Sequence, residues 1–355
     1  MQKVEFIDNP QELGSIDKSG MLECVLAMPA HLQKAKAVFS SLKPPKIKKI
    51  NNLVIAGMGG SAIAGDVIAD LLSEKLPFPL IVSRNYKIPA FIGKETLFLA
   101  ISYSGETEET LAALKEAETR GASSICFTSG GKLQEIAAAK KYPSYKLPAG
   151  FQPRAAFPYI LTAVLKCLEG FGLIQNLAEE IDEAVWVLEK TRQEIGIARP
   201  LRTNSAKRLA QKLVGRIPLI FAVTGSSAAA GLRLKCQFNE NSKSCAVLYV
   251  LPEMNHNEIV NLFELKNGCH NFSALFLRDE KDTERIKKRI EITKSLLSRQ
   301  LGGYTEIFSQ GESKLARILS LIYYGDLLSV YIPLLRKADP TPVEAISRLK
   351  KELKR

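Results

Sequence analysis

Three stretches of the chain carry side chains that could do chemistry. Ser102-Tyr-Ser-Gly-Glu-Thr107 sets three hydroxyls within six residues. It follows the apolar run TLFLAIS (96–102) and leads into ETEETLAALKEAETR (106–120), a helical pattern closed by Gly121. Backbone N–H groups at a helix start favour a dianion, and Gly105 lets the backbone approach one closely. Ser102, Ser104 and Thr107 would complete a phosphate cradle. Gly57-Met-Gly-Gly-Ser-Ala62 is the second stretch. It puts Gly59, Gly60 and Ser61 in a neighbouring strand-to-helix turn, at the sheet edge where open α/β folds bind ligands. The third holds Glu240 and His256. Glu240 ends a helical segment on which Arg233, Gln237 and Glu240 share one face. A carboxylate there opposes the helix dipole, which favours proton uptake and suits a general base. His256 lies in PEMNHNE (252–258), directly after the strand-like CAVLYVL (245–251).

Each stretch has a plainer reading. Ser104 or Thr107 could be an ordinary N-cap with an acid behind it, for which one hydroxyl suffices. The glycine turn also fits the dinucleotide fingerprint in its alanine form. The next strand, however, ends Ser83-Arg84-Asn85, with no carboxylate for a ribose. Arg84 keeps open an NADP-binding oxidoreductase. The Walker lysine motif is absent, so a phosphomonoester on a small molecule fits better than a nucleoside triphosphate. Glu253-x-x-His256 has neither a second histidine nor a cysteine pair at zinc spacing, and no metal is expected. The other histidines, His31 and His270, read as surface, capping or turn residues.

These residues need strands that end in turns and helices that begin there. Short apolar runs at 51–58, 79–83, 96–102 and 123–128 alternate with helical patterns, the signature of parallel βαβ units. A helix-rich stretch follows at 151–195. The pattern then restarts with IPLIFAV (217–223), a Thr224-Gly-Ser-Ser227 turn and a helix over 228–239. Strands are expected at 245–251, 272–277 and 304–308, with a helix over 282–299. VIAGMGGSAIAG (54–65) and FAVTGSSAAAG (221–231) are comparable, which predicts an internal duplication. The expected organisation is a helical preamble (1–50), a first α/β domain (51–150), a helical bridge (151–195), a second α/β domain (196–338) and a helical tail (339–355).

The 355 residues suffice for two such domains. With 46% hydrophobic and 24% charged residues, collagen-like, disordered and disulfide-scaffold classes are excluded. Lys and Arg exceed Asp and Glu by 49 to 37, a net +12. The basic clusters are short, so scattered surface charge or an anionic substrate explains the excess better than nucleic acid. Six cysteines (24, 126, 167, 236, 245, 269) form no C-x-x-C pair, which fits a reducing compartment. MQKVEFIDNPQEL has no apolar core, and no run of about 18 apolar residues is read. A signal peptide and a membrane span are therefore not expected, and the expected location is the cytoplasm.

Six segments, in order, carry a resemblance: AGMGGSAIAGD (56–66), ISYSGETEET (101–110), FQPRAAFPY (151–159), TGSSAAAGLRLKCQFNENSK (224–243), LPEMNHNEIV (251–260) and DPTPVEAISRLK (339–350). The chain resembles the two-domain sugar isomerase (SIS) proteins, specifically the bifunctional phosphoglucose/phosphomannose isomerases. The resemblance implies two SIS-type α/β/α sandwich domains, each with a parallel five-stranded sheet, in a homodimer. It implies interconversion of glucose 6-phosphate or mannose 6-phosphate with fructose 6-phosphate, without metal or cofactor. Gly59, Gly60, Ser61, Ser102, Ser104 and Thr107 would hold the phosphate. Arg154 would stabilise the enediolate and Glu240 would shuttle the proton between C1 and C2. His256, reaching in from the other subunit, would open the sugar ring. Lys350 would assist, with Arg348 as the nearby alternative. The competing reading on the same fold is a non-catalytic sugar-phosphate-binding regulator, which would need the serine loop but neither Glu240 nor His256.

Overall fold

The computed structural model describes residues 4–265, 271–301 and 303–353. His270 and Cys269 lie outside these. The chain divides into two compact units, one of residues 28–185 and one of residues 1–27 with 186–355. The divisions fall inside the stretches 1–50 and 151–195.

The 28–185 unit is built on five strands: β1 (Asn52–Ala56), β2 (Leu80–Ser83), β3 (Thr96–Ile101), β4 (Ser123–Thr128) and β5 (Ser144–Lys146). They pair in parallel in the order β2-β1-β3-β4-β5. β3 is buried at every position and β1 at all but its first, as central strands covered on both faces must be. The crossover helices are Gly59–Leu72, Glu108–Thr119 and Gly131–Lys140. Cys126 is buried in this core, and burial pushes its thiol up to about 12.

The second unit repeats the plan with β6 (Ile217–Val223), β7 (Val247–Leu251), β8 (Phe272–Arg278) and β9 (Tyr304–Phe308). Their parallel order, β7-β6-β8-β9, matches the first four positions of the other sheet. The shared turn behaves alike in both. A Cβ at Gly65 would press on Ile55 and Val82, and one at Gly231 on Ala222 and Leu248, so each glycine lets a helix lie close on its sheet.

Two expectations are corrected. The second sheet has four strands among the described residues, not five. The chain leaves β9 for the helix Lys314–Leu335. The stretch after that helix, 336–343, carries Pro340 and Pro342, which cannot donate to a ladder. That 22-residue helix is also long and apolar enough to cross a membrane by length and composition, with mean hydropathy 1.6. The apolar stretch is 89% buried inside the protein, as expected of a core helix that is apolar all round.

Residues 1–27 belong to the second unit through specific contacts. Asp8 accepts from Lys207 Nζ at 2.8 Å, and Lys207 also donates to the carbonyls of Ile197 and Arg199. Burial lowers the Lys207 pKa, opposed by Asp8. The Tyr323 hydroxyl donates to Leu26 O at 3.2 Å.

Candidate active site

The hydroxyl cradle assembles at the carboxyl ends of β1 and β3. Ser102 is fully buried, and its Oγ lies 2.8 Å from Thr107 Oγ1. The Thr107 amide points at the same oxygen at 3.4 Å. Thr107 occupies the N-cap of helix 108–119 but makes no side-chain cap, because its hydroxyl is turned to Ser102. The ordinary-cap reading of Thr107 therefore fails. Ser104 is exposed and accepts from the Glu106 amide at 3.3 Å. Gly105 has φ +72°, and any Cβ there would collide with Gly130 O. Only glycine can make this turn. Glu106 then accepts from the Lys132 amide at 3.0 Å, fastening the loop to the next helix start.

The glycine turn packs beside this loop. Helix 59–72 begins after Met58 with no side-chain cap, and Gly59 has φ +49°. Ser61 is buried and accepts from the Tyr103 amide at 3.2 Å, which joins the two turns. Gly60 lies against the backbone of Pro153 and Arg154. Arg154 itself is only 3% exposed. The structure thus gathers Gly59, Gly60, Ser61, Ser102, Ser104, Thr107 and Arg154 in one unit, from three separate sequence segments.

Tyr103 is the residue here that the sequence reading passes over. Its phenol donates to Pro148 O at 2.8 Å and accepts from the Phe151 amide at 2.9 Å. In sequence it looks like filler between two serines. Arg84, the residue that kept an NADP reading open, is paired with Asp66 on the first helix. Burial raises the Asp66 pKa, with Arg84 opposing.

Glu240 is the last residue of the helix Ala228–Glu240 in the second unit, and is half-buried. The helix is held by a buried pair: Arg233 Nε and Nη2 reach both oxygens of Asp326 at 2.6–3.2 Å, and Gln237 donates to Asp326 at 3.0 Å. One turn on, Asn241 and Ser242 bond to Ser329. Lys243 Nζ donates to Glu240 O at 2.7 Å and to Pro340 O at 2.8 Å. His256 ends the short 3-10 turn Glu253–His256 after β7 and is exposed. Lys350 and Arg348 sit on the helix Glu344–Leu353, which has no buried residue. This helix starts five residues later than expected, after Pro340 and Pro342.

Among the described residues, the second unit has no counterpart of the hydroxyl cradle after β8. After β8 the loop carries Asp279, buried and paired with Arg317 at 2.9 and 3.0 Å, and Thr283, which makes an ordinary cap to Ile286. A cavity of about 480 Å³ in this unit, lined by Asn255, Ile259, Arg285, Lys288, Arg289 and Ile292, includes none of the expected site residues.

Two parallel sheets of like order, each with a small-residue turn after its first strand, define a protein of the SIS class. Residues 46–142 match the SIS domain, and residues 202–353 match the bacterial phospho-glucose isomerase C-terminal SIS domain. The chain is 40% identical over 334 residues to a bifunctional phosphoglucose/phosphomannose isomerase of Caldicellulosiruptor bescii, covering 94% of this chain and 98% of that protein. It is 33% identical over 291 residues to a D-glucosamine-6-phosphate 4-epimerase of Sulfolobus acidocaldarius, covering 81% of this chain and 84% of that one. A solved glucose-6-phosphate isomerase like protein of Thermus thermophilus has the same fold, with TM-score 0.63 at 17% identity over 97% of this chain and 98% of that one. The chain belongs to the bifunctional phosphoglucose/phosphomannose isomerase family, and it is an isomerase.

Proposed function

We propose that the protein interconverts glucose 6-phosphate and mannose 6-phosphate with fructose 6-phosphate by ring opening and an enediolate intermediate. The observation that carries this is the placement of Arg154 against Gly60 of the hydroxyl cradle. A group that anchors a phosphomonoester and a group suited to a developing oxyanion are thereby fixed in one unit. Backbone amides and hydroxyls of 59–61, 102, 104 and 107 take the phosphate, where the start of helix 108–119 favours a dianion. Glu240 removes the proton next to the carbonyl and returns it to the adjacent carbon. Arg154 meets the oxyanion charge that forms. Sugar phosphates are largely cyclic, so a further acid–base group must open the ring. His256 takes that role from the second subunit of a homodimer, assisted by Lys350 or Arg348. The remote phosphate supplies binding energy that orients the reacting carbons.

Proton transfer of this kind needs no metal and no cofactor. The cytoplasm is the proposed location. The regulator alternative is not favoured, since the matched relatives are named as enzymes. The test is incubation of purified protein with fructose 6-phosphate and EDTA, following glucose 6-phosphate and mannose 6-phosphate separately. Both products are expected. Glucose 6-phosphate alone would remove the mannose activity, and binding without turnover would revive the regulator. Because one relative is an epimerase of glucosamine 6-phosphate, that compound is the comparison substrate.

A further inference from the structure

We propose that Tyr103 is a positioning residue for Arg154, coupling the phosphate cradle to the segment that carries the guanidinium. The proposal rests on the isomerase reading above. Tyr103 sits between Ser102 and Ser104 and is 5% exposed. Its amide donates to Ser61 Oγ at 3.2 Å. Its carbonyl accepts from the Ser129 amide at 3.0 Å and from Ser129 Oγ at 2.6 Å. Its phenol donates to Pro148 O and accepts from the Phe151 amide. One residue therefore fixes three loops.

The third loop is the one that matters for catalysis. Directly after Phe151, Gln152 O accepts from the amides of Ala155 and Ala156, forming the turn that holds Arg154 and enters helix Phe157–Gly170. Gly60 bounds that turn at Pro153 and Arg154. The Arg154 backbone is thus held by a contact without slack at Gly60 and, three residues upstream, by the phenol. A phenylalanine would fill the same core volume. The hydroxyl bonds the 148–151 segment, whereas the bond of Tyr103 to Ser61 runs through its backbone amide.

That division makes the test specific. Tyr103→Phe keeps the backbone bond to Ser61 and removes the two hydroxyl bonds to the 148–151 segment that leads into Arg154. With fructose 6-phosphate as substrate, kcat is expected to fall by about tenfold or more, with KM and the Kd for inorganic phosphate unchanged within about twofold. In an Arg154→Ala background, the same change should cost little further, because the two act as one unit. A rise in KM at constant kcat, or losses that multiply in the double variant, would overturn the proposal. Hydrogen exchange reads it without turnover. The Phe151 amide should be protected in the unaltered protein and should exchange faster in Tyr103→Phe. An unprotected Phe151 amide in the unaltered protein overturns the proposal even if the variant fails to fold. Absence of turnover in the unaltered protein would instead sink the isomerase reading, leaving the exchange measurement to decide the role of Tyr103 in fixing this segment.

Discussion

Gly60 lies directly on the backbone of Arg154: a Cβ at residue 60 would stand 2.8 Å from the Arg154 amide nitrogen and 2.8 Å from the Pro153 carbonyl carbon. The constraint is close approach and not backbone conformation, since Gly60 is absent from the positive-φ glycines while Gly59 is among them. Gly60→Ala must push the 153–154 backbone away. A displacement on the order of 1 Å at a reacting group costs up to about 100-fold in rate. Steady-state kinetics should show kcat/KM down by at least about tenfold. An unchanged rate would mean that Arg154 has no part in the reaction.

Glu240→Gln separates binding from proton transfer. The amide keeps the size of the carboxylate and cannot take up a proton. Turnover should fall by about 10²–10⁴-fold, the usual worth of a positioned base, while fructose 6-phosphate still binds. Isothermal titration beside the rate assay checks both. Turnover unchanged in the variant would remove Glu240 from the mechanism.

The serines differ in how deeply they are built in. Ser104 is exposed, with one long bond to the Glu106 amide, so Ser104→Ala should raise KM more than it lowers kcat and leave thermal stability almost unchanged. Ser102 is fully buried and shares its oxygen with Thr107, so Ser102→Ala should also destabilise by ~1–3 kcal/mol through the partners left unmet. Equal stability losses at the two positions, measured by thermal denaturation, would contradict this placement.

Much of this architecture was legible because its signals are local. The apolar runs 217–223 and 304–308 coincide with β6 and β9, and Gly121 closes helix 108–119 with φ +77°. The duplication is visible in two turns, and Gly65 and Gly231 show why: in each unit a glycine lets the helix lie close on its sheet. What escaped depends on distant partners. Nothing near Tyr103 in sequence announces that its phenol reaches residues 148 and 151. The helix 314–335 is buried along nearly all of its length, so it has little amphipathic period to find. Among the described residues the second sheet stops at four strands because the chain turns into that helix after β9.

That helix carries one half of a buried ion pair. Arg233 and Asp326 are 3% and 1% exposed and form a two-pronged ion pair between it and the helix that ends at Glu240. Removing one partner strands a charge in the core. Asp326→Ala should therefore cost ~3–5 kcal/mol in urea denaturation. Replacing both partners with apolar residues, Arg233→Met with Asp326→Leu, should recover most of that loss, since the desolvation cost of the pair disappears with the charges. Stability and activity should then part company. The double variant loses the bonds that Asp326 makes to Arg233 and Gln237 on the helix bearing Glu240, while those of Asn241 and Ser242 to Ser329 remain. Full stability with reduced kcat would identify the pair as a device for orienting Glu240. Full stability with unchanged kcat would show that Asn241 and Ser242, bonded to Ser329, suffice for that purpose.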